Sequence, residues 1–336
     1  ELFKINDDGS FTAENSRMMS GSDFSVKGQP LVSIIIINRN GIEHLRTLFA
    51  SFKEKEFYRN FEIIFVDNAS TDDSVKYIRS LTEYKMAIIE NKQNESFSKA
   101  NNQGISAAKG EYILFLNNDT EVTDHWLDFL IHTAQEHPDS GAVGARLVYP
   151  YVPDGYLNHS KSFTVQHMGI VFEESSFNSE PFIRPMNYRN GDDPMLSELG
   201  SSEPFAISGV TAACMLVRRS VLDEVGGFDE EYVYGYEDCD LDLAIFRKGY
   251  VNYVCPHALL FHYEFGTQSS NTREEIVKRR TNNICHFRDK WQGYLSDKIW
   301  QDKLEGTSLF IGGKRALTVA VVVTDDDPDT SAGDYF

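Results

Sequence analysis

The sequence predicts an α/β protein with a mostly parallel central sheet flanked by helices. Three observations carry that prediction. Residues 31–37 (LVSIIII), 61–66 (FEIIFV) and 112–116 (YILFL) are apolar runs too short for free-standing helices, and they read as strands buried on both faces. Helical periodicity separates these runs, giving the strand–helix–strand grammar of a parallel sheet. Each run also stops on polar residues: Asn38-Arg39-Asn40, Asp67-Asn68 and Asn117-Asn118-Asp119. In a parallel sheet those three ends gather at one edge, where open α/β sheets bind ligands.

Taken in order, residues 1–28 are polar and without clear period, an extended lead-in. After the first strand, Leu45, Leu48, Phe49 and Phe52 fall at i, i+3, i+4 and i+7 and mark one face of a helix. After the second strand, Ser70 with Asp73 resembles a capping start for a helix carrying Val75, Ile78 and Arg79. A short strand at 86–90 and a helix at 100–108 lead to the strand at 112–116. No G-x-G-x-x-G follows the first strand, which disfavours a dehydrogenase-type dinucleotide fold.

Beyond this point Trp126, Leu127, Leu130, Ile131 and Ala134 mark a helix closed by Pro138, followed by strand-like pieces at 142–149 and 163–172. Residues 173–204 show no period and are expected to form a long loop, functional or mobile. Another strand at 212–217 leads to a short helix and Gly226-Gly227. Tyr236-Glu237-Asp238-Cys239-Asp240 then opens a helix carrying Leu241, Ala244 and Ile245 and ending at Gly249. Residues 258–261 run as a strand into His262, and Ile276, Ile284, Phe287 and Trp291 mark one long closing helix.

Composition bounds the function. A chain of 336 residues can bury a sizeable core. Its net charge of −19 disfavours general nucleic-acid binding, yet a small phosphate-bearing ligand needs only local donors or a metal. Cys214, Cys239, Cys255 and Cys285 form no C-x-x-C pair, which fits reduced thiols. No apolar segment approaches the roughly 20 residues that span a bilayer. The expected location is cytoplasmic, with peripheral attachment to the inner face of the plasma membrane. The start on Glu1 suggests a piece of a longer chain.

Among the polar strand ends, Asp119 stands out. A carboxylate beside carbonyl-bearing Asn117 and Asn118 offers hard oxygen ligands suited to Mg2+ or Mn2+ and to metal-borne phosphates. The plain alternative is an Asn/Asp turn.

The segments VSIIIINRN, EIIFVDNASTDDS, NESFSKANNQGI, GEYILFLNNDTEV, VGARLVYP, VQHMGIVF, SGVTAACMLVRRSVLDEVGGFDEEY, GYEDCDLDL and FHYEFGTQSS occur in that order. Together they resemble the family 2 glycosyltransferases of the GT-A fold over roughly residues 30–292. Within that family the chain is most similar to the bacterial rhamnosyltransferase and cell-surface-glycan branch, which often writes L-N-x-D for L-D-x-D. The resemblance implies inverting transfer of a sugar, rhamnose or another hexose, from a UDP, dTDP or GDP donor to a glycan or lipid-linked acceptor hydroxyl.

It also implies residue roles. Asp119 would ligate Mn2+ or Mg2+ with His262 completing the shell, and Asn117 would contact the donor ribose. Asp67 would read the base, with Asn38, Asn94, Phe97 and Asn101 on the donor side and Asn40, Asn68 and Asn118 at the same strand ends. Of the Glu237-Asp238 pair, Asp238 would be the base that deprotonates the acceptor hydroxyl; its plain alternative is an acidic first helix turn. Residues 266–273 are expected to close over the diphosphate, with Arg273, Lys278 or Arg279 neutralising it.

The implied organisation is a lead-in at 1–29, a transferase domain at 30–300 with its nucleotide half at about 30–120, and a linker at 301–336. Residues 316–323 (ALTVAVVV) resemble the first strand of a following GT-B-type transferase domain, the alternative being an edge strand docked on this one. Two rival functions stay open: a nucleotidyltransferase using the same strand-end site, and a non-catalytic nucleotide-sugar or glycan binder.

Overall fold

The computed structural model describes residues 3–5, 11–13, 25–151, 159–192, 203–263, 273–306 and 309–310. The expected closing loop, apart from the first residue of the last helix, and the expected strand at 316–323 lie outside these residues. Strands β1 (Phe3–Ile5) and β2 (Phe11–Ala13) form a separate antiparallel pair.

The first half alternates β3 (Val32–Asn38), α1 (Ile42–Glu54), β4 (Phe61–Asp67), α2 (Ser74–Ser80), β5 (Met86–Glu90), α3 (Phe97–Ala107) and β6 (Tyr112–Leu116). These strands pair in parallel in the order β5-β4-β3-β6. Successive residues of β3 serve opposite layers: Ile34 and Ile36 pack with Leu45, Leu48, Phe49 and Phe52 of α1, whereas Ile35 packs with Ala100 of α3. All five residues of β6 are buried. Each such side chain contributes roughly 1.5–3 kcal/mol by leaving water, so the apolar runs that mark the strands also hold the layers together.

The second half comprises β7 (Thr120–Val122), α4 (Trp126–Glu136), β8 (Ser140–Val148), β9 (Val165–His167), β10 (Ile170–Phe177), β11 (Glu180–Asn187) and β12 (Phe205–Ile207). It continues through β13 (Cys214–Arg218), α5 (Arg219–Val225), α6 (Glu237–Arg247), β14 (Val251–His262) and α7 (Arg273–Glu305). The main sheet runs β12-β14-β8-β13-β6-β3-β4-β5. Strand β13 lies antiparallel between β6 and β8, while β8 and β14 are parallel. Its amino end therefore joins the carboxyl ends of β3 and β6 at one edge.

Three expectations are corrected. The stretch expected as a loop from residue 173 begins as the β10–β11 hairpin, whose Phe172, Phe182 and Ile183 pack on Phe287, Trp291 and Leu295 of α7. Its burial comes from that distant helix, so no local period betrays it. The last strand starts at Val251, well before residue 258, and passes through a register shift between Cys255 and Leu259. Ser70 does not cap α2: its Oγ accepts from the Asn40 backbone N–H (2.9 Å) and Asn38 Nδ2 (3.1 Å).

Candidate active site

A cleft of about 360 Å3 opens at that common edge. Asp119 reaches it because β6 ends at Leu116 and the chain turns into β7. His262 reaches it because β7 and β14 pair in antiparallel register, His262 opposite Thr120. That pairing places His262 Nε2 3.2 Å from Asp119 Oδ1. Asn117 Nδ2 lies 3.2 Å from the same ring nitrogen.

The imidazole is oriented from behind. Its Nδ1 donates to Gln166 Oε1 at 2.6 Å, so in the neutral ring the Nε2 lone pair faces Asp119 and the cleft. A partner on the far nitrogen is the usual arrangement of a metal-binding histidine. Burial alone would raise Asp119; when the ring is protonated instead, the Nε2 hydrogen bond and the charge of His262 outweigh burial and hold the carboxyl below its usual range. Two electron-rich atoms 3.2 Å apart suit neighbouring positions on one hard divalent ion. Among the described residues no third histidine, cysteine or carboxylate joins them. Such an ion would draw its remaining ligands from substrate oxygens and water.

The amino end of α6 lines the same cleft. Gly235 and Tyr236 both have positive φ (95° and 77°), a sharp turn that throws Glu237 and Asp238 onto the cleft wall. Asn283 of α7 pins the turn, its Nδ2 donating to the carbonyls of Tyr234 (2.8 Å) and Gly235 (2.9 Å). Asp238 Oδ1 accepts from the Cys239 N–H at 2.9 Å. Glu237 is pushed up to about 8, first by burial and then by the charge of Asp238. One turn further on, Asp242 is fully buried and accepts from the Val210 N–H at 2.8 Å. Burial, then Asp238, drive its carboxyl well above the usual range. Asp240 faces away, accepting from Trp291 Nε1 (2.6 Å) and the Tyr232 hydroxyl (3.1 Å).

Of the residues singled out in the sequence, Asn68, Asn94, Phe97, Asn117, Asn118, Asp119, Glu237, Asp238, His262 and Arg279 line the cleft. Asn38, Asn40, Asp67 and Asn101 do not. Asn38 Oδ1 accepts from Asn118 Nδ2 at 2.7 Å, and a Cβ on Gly41 would run into both groups. Asn40 Oδ1 accepts from the Thr71 N–H at 2.7 Å, which ties β3 to the turn after β4. Asn101 donates to the Phe97 carbonyl at 3.1 Å within α3. Asp67 Oδ2 accepts from the Ser70 N–H at 2.9 Å, whereas Oδ1 is buried without a partner among the described residues.

Sequence reasoning did not mark Glu95, Ser96, Thr211–Ala213 or Val233–Gly235, which also line the cleft, and met Arg39 only as part of a turn. Thr211 to Ala213 arrive because β13 is antiparallel. Their wall is braced by His167, whose Nδ1 donates to Asn187 Oδ1 (3.0 Å) while Nε2 accepts from the Thr211 N–H (3.1 Å). Burial lowers His167 to about 4, which keeps the ring neutral as that bonding requires.

Residues 33–226 match the profile of glycosyl transferase family 2. The chain is 31% identical over 281 residues to the O-antigen biosynthesis protein RfbC of Myxococcus xanthus, covering 82% of this chain and 20% of that protein. The chain therefore spans about a fifth of that relative's length. It superposes on GalNAc-T7, crystallised with UDP, GalNAc and Mn2+, with a TM-score of 0.59 at 15% identity, covering 92% of this chain and 55% of that one. The mannosyltransferase PcManGT of Pyrobaculum calidifontis, in complex with GDP-Man and Mn2+, gives 0.51 at 16% identity, covering 82% and 69%. At these identities the two structures establish a shared GT-A fold.

Proposed function

The chain belongs to glycosyl transferase family 2, and from that premise we propose that it is a metal-dependent inverting transferase of cell-surface polysaccharide synthesis. It would move a sugar, rhamnose or another hexose, from a nucleoside diphosphate to a hydroxyl of a glycan or lipid-linked glycan. The observation that carries this reading is the shared cleft: Asp119 and His262 on one wall, Glu237 and Asp238 on another. The similarity to an O-antigen biosynthesis protein supports the surface-glycan setting. Among the described residues no helix is long and apolar enough to cross a membrane, so a lipid-linked acceptor would be met at the membrane surface.

Asp119 Oδ1 and His262 Nε2 would hold Mn2+ or Mg2+, which supplies charge stabilisation for the departing diphosphate. Asp67, behind the cleft-lining Asn68, would accept an imino N–H of the base once its buried Oδ1, unpartnered among the described residues, is uncovered, chemistry that uracil, thymine and guanine share. Asn68, Asn94 and Phe97 would lie along the nucleoside, and Asn117 would donate to a ribose hydroxyl. Asp238 would take the proton of the acceptor hydroxyl as that oxygen attacks the anomeric carbon on the face opposite the diphosphate. The walls formed by Thr211–Ala213 and Val233–Gly235 would confine the reacting groups and exclude water.

Incubation with Mn2+ and a panel of UDP-, dTDP- and GDP-sugars tests the reading. Release of nucleoside diphosphate supports a transferase, release of pyrophosphate a nucleotidyltransferase, and binding without turnover a non-catalytic domain. Asp238→Asn is expected to cut transfer by at least ~100-fold while nucleotide binding persists. Normal turnover in that variant would remove Asp238 as the base.

A further inference from the structure

The cleft lining holds a cation that no carboxylate among the described residues contacts as an ion pair. Arg279 projects from α7 to line the cleft, its guanidinium carbon 5.1 Å from the centroid of the Tyr234 ring. Among the described residues its buried Nε has no hydrogen-bond partner and no carboxylate forms an ion pair with it. Glu237 feels its charge, yet burial and Asp238 dominate and hold that carboxyl at about 8. At neutral pH Glu237 is therefore protonated and does not neutralise the guanidinium. In a chain of net charge −19 an unpaired arginine is not short of carboxylates elsewhere. Its isolation is local, produced by the wall in which it sits.

Position selects the ligand. Tyr234, Gly235, Glu237 and Asp238 follow one another along one wall, and Arg279 is stacked on the first of them. The cation thus stands on the stretch of lining that carries the carboxylate assigned to the acceptor hydroxyl, in the cleft that Asp119 and His262 also line. Tyr234 is 38% exposed and Val233 51% exposed at the same rim, an amphipathic ring and an apolar surface beside a planar fork of N–H donors. Such a fork matches the paired oxygens of carboxylate or phosphate.

We propose that Arg279, backed by Tyr234, binds an anionic oxygen, carboxylate or phosphate, carried by the acceptor saccharide. The word acceptor rests on the transferase reading; the anion site itself does not. It makes Arg279 a specificity residue that favours acidic or phosphorylated glycans over neutral ones, and it separates Arg279 from the donor diphosphate.

Ligand-detected NMR titrations of D-glucuronate, D-glucose 6-phosphate and D-glucose test this in the wild-type protein and in Arg279→Gln and Arg279→Lys. The wild type is expected to bind both anionic sugars at least ~10-fold more tightly than glucose, a typical worth for a charge-assisted contact. Arg279→Gln should erase that preference and Arg279→Lys keep part of it, which controls for folding. UDP, dTDP and GDP affinities with Mn2+ should stay within about twofold in Arg279→Gln. Three results overturn the proposal: no anionic preference in the wild type, a preference that survives Arg279→Gln, or a tenfold loss of nucleoside diphosphate affinity. The last would assign Arg279 to the donor instead. If no nucleoside diphosphate binds the wild type while the anionic preference persists, the transferase reading fails and the anion site stands.

Discussion

At Glu237 the carboxyl lies beside Asp238 and feels Arg279, with Oε2 out of solvent and unpartnered among the described residues. Removing water from a charged carboxylate is costly, and an adjacent negative charge adds to that cost. The result is a pair of neighbouring carboxyls with different duties: Glu237 holds its proton, and Asp238 is the assigned base. The sign of the pH effect follows. Glu237 titrates near 8 in the folded protein and at 4.5 in an unperturbed chain. Its contribution to stability is full below pH 4.5, declines as the unfolded chain releases a proton the native state keeps, and levels off above pH 8. The slope is up to ~1.4 kcal/mol per pH unit. Glu237→Gln removes this penalty. In thermal melts across a pH series it should melt higher than wild type at pH 8, with the gap closing toward pH 4.5. A constant offset at every pH would show that Glu237 is ionised in the native protein.

The turn before α6 is aimed by α7, an element that contributes Arg279 to the cleft but otherwise acts through contacts. Lys290 lies 2.7 Å from Asp229 and 2.9 Å from Asp240, while Trp291 and Tyr232 also bond to Asp240. His286 sits between Asp229 (3.0 Å) and Glu231 (3.3 Å). Burial would raise Asp229, but its bonds to Lys290 and His286 prevail and lower it to about 2. These contacts fasten residues 229–240 to α7 as one strap. Asp240→Asn leaves the Trp291 and Lys290 donors facing an amide, at a cost of about 3 kcal/mol. Urea unfolding should record that loss, and amide exchange in residues 232–240 should accelerate. Exchange unchanged across that stretch would mean the strap does not depend on Asp240.

The assembled molecule draws its cleft from backbone segments far apart in sequence: the end of β6, the start of β13, the turn before α6 and the end of β14. A nucleoside diphosphate with Mn2+ that touches several of them binds only the folded protein, so it stabilises the fold by about 2.7 kcal/mol at 100 times its Kd. The expected observation is a single cooperative rise in Tm that requires nucleotide and Mn2+ together. An equal rise with nucleotide and chelator would argue against the Asp119–His262 metal site.

The parallel half was legible residue by residue. A strand buried on both faces needs an unbroken apolar run, and the chain leaving it needs polar residues to bond its freed backbone groups, so residues 31–37, 61–66 and 112–116 announced themselves along with Asn117, Asn118 and Asp119. The hairpin at Ile170–Asn187, the antiparallel placement of Cys214–Arg218 and the arrival of Thr211 and Tyr234 at the cleft were not legible. Their burial depends on partners from other parts of the chain, and pairing over such separations leaves no period in the local sequence. Residue type told which groups are able to bind a metal or take a proton. Long-range strand register and the packing of α7 determine which of them meet.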